Sequence, residues 1–194
     1  MRDLYLFYHG FMFSLEANPL YPEDWREYRD FALSAMKNDP NEFVRTFEEE
    51  SALPDEVWQE RLNDARRGNK AWLLFGKGED GKIVGMIGAS RVENRNISHV
   101  VTITGPYVSI EGRDKGVEEK LVSAILQKIR VNPNIKKARV FVLAEKGDTM
   151  FAYGRLGFKK AGKLVNEYRT RIGDNYLSEY ILEKWLEDGE PKLK

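Results

Sequence analysis

The feature that most constrains the fold lies between residues 98 and 144. A strand-like run, Ser98–Ile110, ends in a short polar loop and gives way to a helical segment over 114–130; a β-rich run, Ala138–Ala144, follows. Val117, Leu121, Ala124, Ile125 and Ile129 fall on one face of that helix, so it has an apolar side to bury. Strand, helix and strand in this order predict a crossover on one face of a sheet, and hence a mixed α/β domain. Gly105-Pro106 interrupts the first strand. Proline cannot donate to a sheet ladder, so a bulge or a splay is expected there.

The flanking sequence fills in the rest. Residues 11–17 read as a first strand. Pro22-Glu23-Asp24 opens a helix over 23–37, with acids at its positive end and with Trp25, Tyr28, Ala32, Ala35 and Met36 at helical spacing. Asp39-Pro40 ends it. Further helical regions are expected over 40–50 and, from Pro54, over 54–67. The period then changes. Ala71–Phe75 and Ile83–Val92 read as a hairpin about the glycine-rich turn Lys77–Gly81, and Asp148–Leu156 as a short helix. Phe158–Arg171 and Tyr176–Leu186 close the sheet through the turn Gly173-Asp174-Asn175. The expectation is a mostly antiparallel splayed sheet of about seven strands flanked by four or five helices. Residues 1–10 read as an extension or extra strand (Met12 is an alternative start), 11–186 as the domain and 187–194 as a polar tail.

Composition removes several classes of function. The chain has 194 residues, which suits one domain. It has no cysteine, which excludes disulfides, thiolate catalysis and cysteine zinc sites. His9 and His99 are the only histidines, too few for a multi-histidine metal centre, so no metal is expected. Lysine plus arginine and aspartate plus glutamate both number 31, which gives no support for a nucleic-acid partner. The apolar run Leu4–Leu15 is too short to span a bilayer and lacks a leader-cleavage pattern, so a cytoplasmic protein without a membrane partner is expected.

The loop carries the chemistry. In Tyr107–Val117 a strand ends and a helix begins, which aims backbone N–H groups and the helix's positive end at one spot suited to a diphosphate. Gly116 lets a ligand approach the backbone. The charges are less favourable: over 111–120 four acids (Glu111, Asp114, Glu118, Glu119) face three bases (Arg113, Lys115, Lys120). Asp114, Glu118 and Glu119 are equally expected to stabilise a plain helix start without a ligand.

These residues resemble the GNAT superfamily of acetyl-CoA-dependent N-acetyltransferases. The signature R/Q-x-x-G-x-G/A is met by Arg113-x-x-Gly116-x-Glu118 at two positions of three. Tyr153-Gly154-Arg155-Leu156-Gly157-Phe158 resembles the family's Y-x-x-L-G-F element, Asp80-Gly81-Lys82-Ile83-Val84-Gly85 its hairpin, and Ala35–Phe43 with Glu48-Glu49 and Trp58 its first two helices. The resemblance implies that acetyl-CoA is co-substrate and that no metal takes part. It implies that Val108 and Ile110 pair with the pantetheine, that Arg113, Asp114, Lys115, Gly116, Val117 and Glu118 hold the diphosphate, and that a free N–H near Gly105–Tyr107 polarises the thioester carbonyl. Tyr153 then protonates the departing thiolate. The acceptor is a small-molecule or peptide amine, and the unit a monomer or homodimer. Glu118 replaces a small residue, and Lys146 replaces an asparagine that contacts the pantetheine. These departures keep two rivals open: a CoA-binding module without transfer, and a structural homodimer.

Other candidates have a plainer reading. Glu93, His99 and Glu145 lie near strand ends as possible bases, but surface positions are expected. Glu48-Glu49-Glu50 is either an attractor for a cationic amine or an exposed helix face. Trp25, Trp58, Trp72 and Trp185 read as core or subunit-contact residues. Asp148 reads as a helix cap, and Gly157 as a left-handed one before a buried Phe158.

Overall fold

The computed structural model describes residues 17–113, 115–170 and 174–186. The expected N-terminal extension, most of the first strand, the polar tail, Asp114 and Gly173 lie outside the described residues. Elements follow in the order β1 (Ala17–Asn18), α1 (Trp25–Asn38), α2 (Phe47–Ser51), α3 (Asp55–Arg67), β2 (Ala71–Lys77), β3 (Ile83–Arg91), β4 (Val100–Val108), α4 (Val117–Arg130), β5 (Lys137–Leu143), α5 (Gly147–Arg155), β6 (Lys159–Arg169) and β7 (Tyr176–Trp185). The seven strands form one sheet in the order β1-β2-β3-β4-β5-β7-β6. Only β4 and β5, joined through α4, run parallel.

Both faces of the sheet are covered, and the alternation of β2 shows how. Trp72 and Leu74 join the larger core, where α4 buries Val117, Leu121, Val122, Ile125, Leu126 and Ile129. Phe75 points the other way, into a second core with Trp25, Tyr28 and Ala32 of α1 and Trp58 and Leu62 of α3. Tyr28 meets Trp58 and Phe75 edge-on, with centroids 5.0 and 5.2 Å apart. Burying side chains of this size contributes roughly 1.5–3 kcal/mol each. Of the four tryptophans three are core; Trp185 is partly exposed and stacks on His99.

Three differences from the sequence reading have local causes. The helical region over 40–50 divides into a short turn, Pro40–Glu42, and α2, because Thr46 starts a new helix: its hydroxyl accepts from Glu49 N–H while Glu49 accepts from the Thr46 N–H. Of the acidic run Glu48–Glu50, Glu48 and Glu49 are exposed and Glu50 is buried. Glu49 serves that cap, and Glu50 is buried and held by both terminal nitrogens of Arg61, at 2.5 and 3.0 Å. Finally, α4 starts at Val117 rather than 114, because Gly116 occupies the left-handed region at φ 70°.

Among the described residues no helix is long and apolar enough to cross a membrane, and no group of three or more His, Cys, Asp or Glu side chains converges on one point.

Candidate active site

The sheet opens at the position expected from Gly105-Pro106. β4 pairs with β5 from Val100 to Ile103 and then stops, while β5 continues against β7 as far as Leu143 opposite Glu179. Beyond Thr104, β4 stays with β3 after a register shift: Gly88 faces Thr104, but Met86 faces Tyr107. The extra residue is a bulge, and β4 and β5 part there. The loop after β4 then delivers α4, whose first N–H groups have no partner within the helix.

Two close contacts fix that loop. Gly85 on β3 lies under the start of α4: a Cβ there would stand 2.9 Å from Leu121 and 3.2 Å from Val117. On the other side, Asp39 at the end of α1 accepts from the Tyr107 hydroxyl at 2.9 Å and from Arg113 Nη2 at 2.7 Å. Arg113 Nε donates to the Val108 carbonyl at 3.3 Å. Burial and the hydrogen bond to Asp39 push the Tyr107 phenol up to about 12. A cleft of about 820 Å³ runs beside the loop, between α1, the β2–β3 turn and residues 109–115.

Glu118 and Glu119 lie in the first turn of α4, the end at which negative charge is favourable. The N-cap residue itself, Gly116, has no side chain to offer. Glu119 pairs with Arg155 at 2.6 Å. Glu118 is partly buried. Burial raises its carboxyl above the usual range, and Glu42 adds to the rise; Thr149 and Lys146 oppose it.

Tyr153 lies one turn beyond Thr149 on α5, so the two share a face. It is 1% exposed, edge-on to Phe158 at 5.0 Å, and its hydroxyl has no hydrogen-bond partner. Burial raises its phenol far above the ordinary value, and the charge of Glu118 adds to the rise. A buried hydroxyl without a partner costs about 1–3 kcal/mol. Such a group in a folded protein calls for an explanation.

The remaining candidates disperse. Lys146 is bound to Glu42, so the turn Pro40–Glu42 is tied to the start of α5. Tyr168 ties the same turn to β6, donating to the Asn41 carbonyl at 2.6 Å. Asp148 sits exposed in the first turn of α5, and no side chain caps that helix. Glu93 and Glu145 are exposed, Glu93 being paired with Lys70. His99 precedes β4 at the far end from the loop, roughly 25–30 Å away at about 3.3 Å per residue. Ile110 is 75% exposed at the rim, and Gly116 has open space around its α-carbon. The features that sequence reasoning missed are the ties themselves. Asp39 reaches Arg113 across 74 residues and Glu42 reaches Lys146 across 104, distances over which no local pattern operates.

A splayed β4–β5 pair with a helix start at its mouth and a buried tyrosine behind it is the architecture of an acyl-CoA transferase. The family model for the acetyltransferase (GNAT) domain matches residues 33–171. The chain belongs to that family, and its enzyme class is that of an acyl-CoA N-acetyltransferase. No curated protein matches it in sequence. Similar folds include an acetyltransferase of the GNAT family from Streptococcus pneumoniae (TM-score 0.76, 16% identity, 89% of this chain and 99% of that one). The YncA structure from Salmonella typhimurium with its cofactor acetyl-CoA has a TM-score of 0.71 at 12% identity, over 92% of this chain and 98% of the other. Ribosomal-protein-alanine N-acetyltransferase from Brucella melitensis has a TM-score of 0.70 at 15% identity, over 89% and 99%.

Proposed function

We propose that the protein moves an acetyl group from acetyl-CoA to a primary amine by direct attack, with both substrates bound together. The observation that carries this reading is the enclosed, partnerless hydroxyl of Tyr153. Acetyl-CoA supplies the acetyl group as an activated thioester. Val108 and Ile110 offer backbone groups to its pantetheine along the edge that β5 leaves free. The amides of 113–118 hold its diphosphate, with Arg113 held in place by Asp39. A backbone N–H at the Gly105–Tyr107 bulge polarises the acyl carbonyl. The Tyr153 hydroxyl gives its proton to the leaving sulfur, a short transfer inside a dry site. The acceptor, a small-molecule or peptide amine, enters from the side of the Pro40–Glu42 turn and the β6–β7 hairpin. We place the protein in the cytoplasm as a monomer or homodimer without nucleic-acid or membrane partners.

Calorimetric titration with acetyl-CoA followed by an amine panel tests this. Saturable binding with transfer to an amine, lost in Tyr153→Phe, is the expected result. Binding without transfer to any amine would leave a CoA-binding module, and no binding at millimolar acetyl-CoA would remove both readings.

A further inference from the structure

We infer that Glu179 is the acceptor-side carboxylate of the reaction: it binds the acceptor's ammonium group and takes the proton that the amine must lose before it attacks. The inference deepens the proposed acetyl transfer and rests on it.

The strand register places Glu179 at the mouth of the splay. It faces Leu143, the last residue of β5 to pair with β7. β4 runs parallel to β5 from Val100 opposite Lys137 to Ile103 opposite Val140. Continued past that point, the same register sets Leu143 and Glu179 level with the Gly105–Tyr107 bulge, across the gap that β5 leaves. The Glu179 backbone is two strands from β4, about 10 Å at the ordinary strand spacing, widened by the splay. Alternation fixes its face. Leu182 lies in the larger core under α4, and Tyr180 packs against it. Glu183 therefore points to the opposite face, where Lys137 and Arg139 hold it. Glu179 shares that face, since no register shift separates the two. So does Tyr168, which faces Leu177 and whose hydroxyl reaches the Asn41 carbonyl at 2.6 Å. The Pro40–Glu42 turn thus lies over the face that carries Glu179.

The surroundings leave this carboxylate in need of a cation. Its directly opposite neighbours are Leu143 on β5 and Leu164 on β6, and it is partly buried. The other acids nearby are taken: Asp39 by Arg113 and Tyr107, Glu42 by Lys146, and Glu183 by Lys137 and Arg139. Glu167 is exposed. Among the described residues no side chain donates to Glu179 or pairs with it. β6 bulges beside it, between Leu164 opposite Glu179 and Tyr168 opposite Leu177, with Asn166 in the left-handed region at φ 54°. Bulges and left-handed residues other than glycine gather at functional sites. An alkyl amine, with a pKa of about 10, arrives as the cation that an unpaired, half-buried carboxylate lacks. The ammonium gives one proton to Glu179, and the freed lone pair forms the C–N bond as the carbonyl oxygen takes up charge. The C–S bond breaks as the carbonyl re-forms. Sulfur takes its proton from Tyr153, which the second proton of the nitrogen restores, and the proton on Glu179 leaves to water.

The test is steady-state acetylation of an alkyl amine by wild type and Glu179→Gln. The variant is expected to lose on the order of 10²-fold in kcat/KM for the amine at neutral pH. Coenzyme A should bind both proteins equally. The loss should shrink as pH rises toward the amine's own pKa of about 10, where the acceptor arrives already neutral. A residue that serves only the fold gives no such recovery. Glu179→Leu, which matches Leu143 and Leu164 on either side, is expected to show the same loss and the same recovery. Wild-type turnover in both variants, or a loss equal at every pH, would overturn the inference and leave the acetyl transfer standing. A parallel fall in coenzyme A affinity in both variants would assign Glu179 to the fold instead. Wild-type protein that binds coenzyme A but acetylates no amine would overturn the transfer, and the inference with it.

Discussion

The carboxylate of Asp39 joins Arg113 across 2.7 Å, so the end of the first helix holds the loop that precedes α4. The same oxygen accepts from Tyr107, on the far side of the β4 bulge. The end of α1, the end of β4 and the loop before α4 thus share one hydrogen-bonding hub. Asp39→Ala is expected to cost about 1–2 kcal/mol, between a hydrogen bond to a charged group and an exposed ion pair. Urea denaturation measures this. Coenzyme A affinity should fall severalfold with it, and the Tyr107 phenol, held near 12 in the native protein, should ionise closer to its ordinary value of about 10. An unchanged phenol titration in the variant would show that the hub does not operate.

A second carboxylate is structural. Glu50 is 2% exposed and depends on Arg61 for both its oxygens. Arg61→Ala leaves a buried charge with only the longer contact to Arg45 at 3.4 Å. A loss of about 3–5 kcal/mol is expected. Pairing that change with Glu50→Gln should recover part of the loss, and neither variant should alter coenzyme A affinity once folded. Thermal melting of the two variants side by side decides it.

The contrast between Asp39 and Glu50 shows what was legible in the sequence. Helical spacing from Trp25 to Met36 marked a buried face correctly, because burial of a helix face is a local pattern. Gly105-Pro106 marked the splay, because a missing donor has a local consequence. In the sequence Asp39 reads as a helix stop and as part of the Ala35–Phe43 resemblance, and Glu50 as part of a charge run. Their partners lie 74 and 11 residues away and are chosen by packing. Tyr153 was singled out by resemblance; its enclosure and lack of a hydrogen bond belong to the folded state alone.

Gly85 is constrained by what lies over it rather than by its backbone. A methyl there meets Leu121 at 2.9 Å, the Tyr107 carbonyl at 3.2 Å and Val117 at 3.2 Å. Leu121 can rotate, but Val117 is the first residue of α4 and the carbonyl belongs to the ladder. Gly85→Ala is therefore expected to displace the start of α4 and cost about 1–3 kcal/mol, the range for overpacking. Weaker coenzyme A binding should accompany the lower urea midpoint. Loss of stability with full affinity would show that α4 had not moved.

Glu183 gives the fold a defined acid sensitivity. Burial works against its charge, yet hydrogen bonds from Lys137 at 2.9 Å and Arg139 at 2.7 Å hold its carboxyl below the usual range. A carboxyl lowered in the folded state stabilises above its unfolded pKa of about 4.3, and that contribution is lost as pH falls through the folded value. Melting temperatures of wild type and Glu183→Gln should therefore differ by a constant amount above about pH 5 and converge below it. A gap that persists into acid would mean that packing of the pair, and not its charge, is what stabilises.

Tyr153 separates function from stability most cleanly. Its hydroxyl is buried without a partner, so the folded protein carries the cost of a desolvated polar group. Tyr153→Phe removes that group and keeps the ring edge-on to Phe158. The variant is expected to be more stable than wild type by up to about 1–3 kcal/mol in the absence of ligand, since a buried polar group without a hydrogen bond costs about that much. Amine acetylation should fall at the same time, through kcat rather than KM, because the proton transfer is made only in the transition state. A tyrosine kept for packing alone predicts the same gain in stability with no loss of turnover. Urea denaturation and steady-state kinetics on the one variant distinguish them.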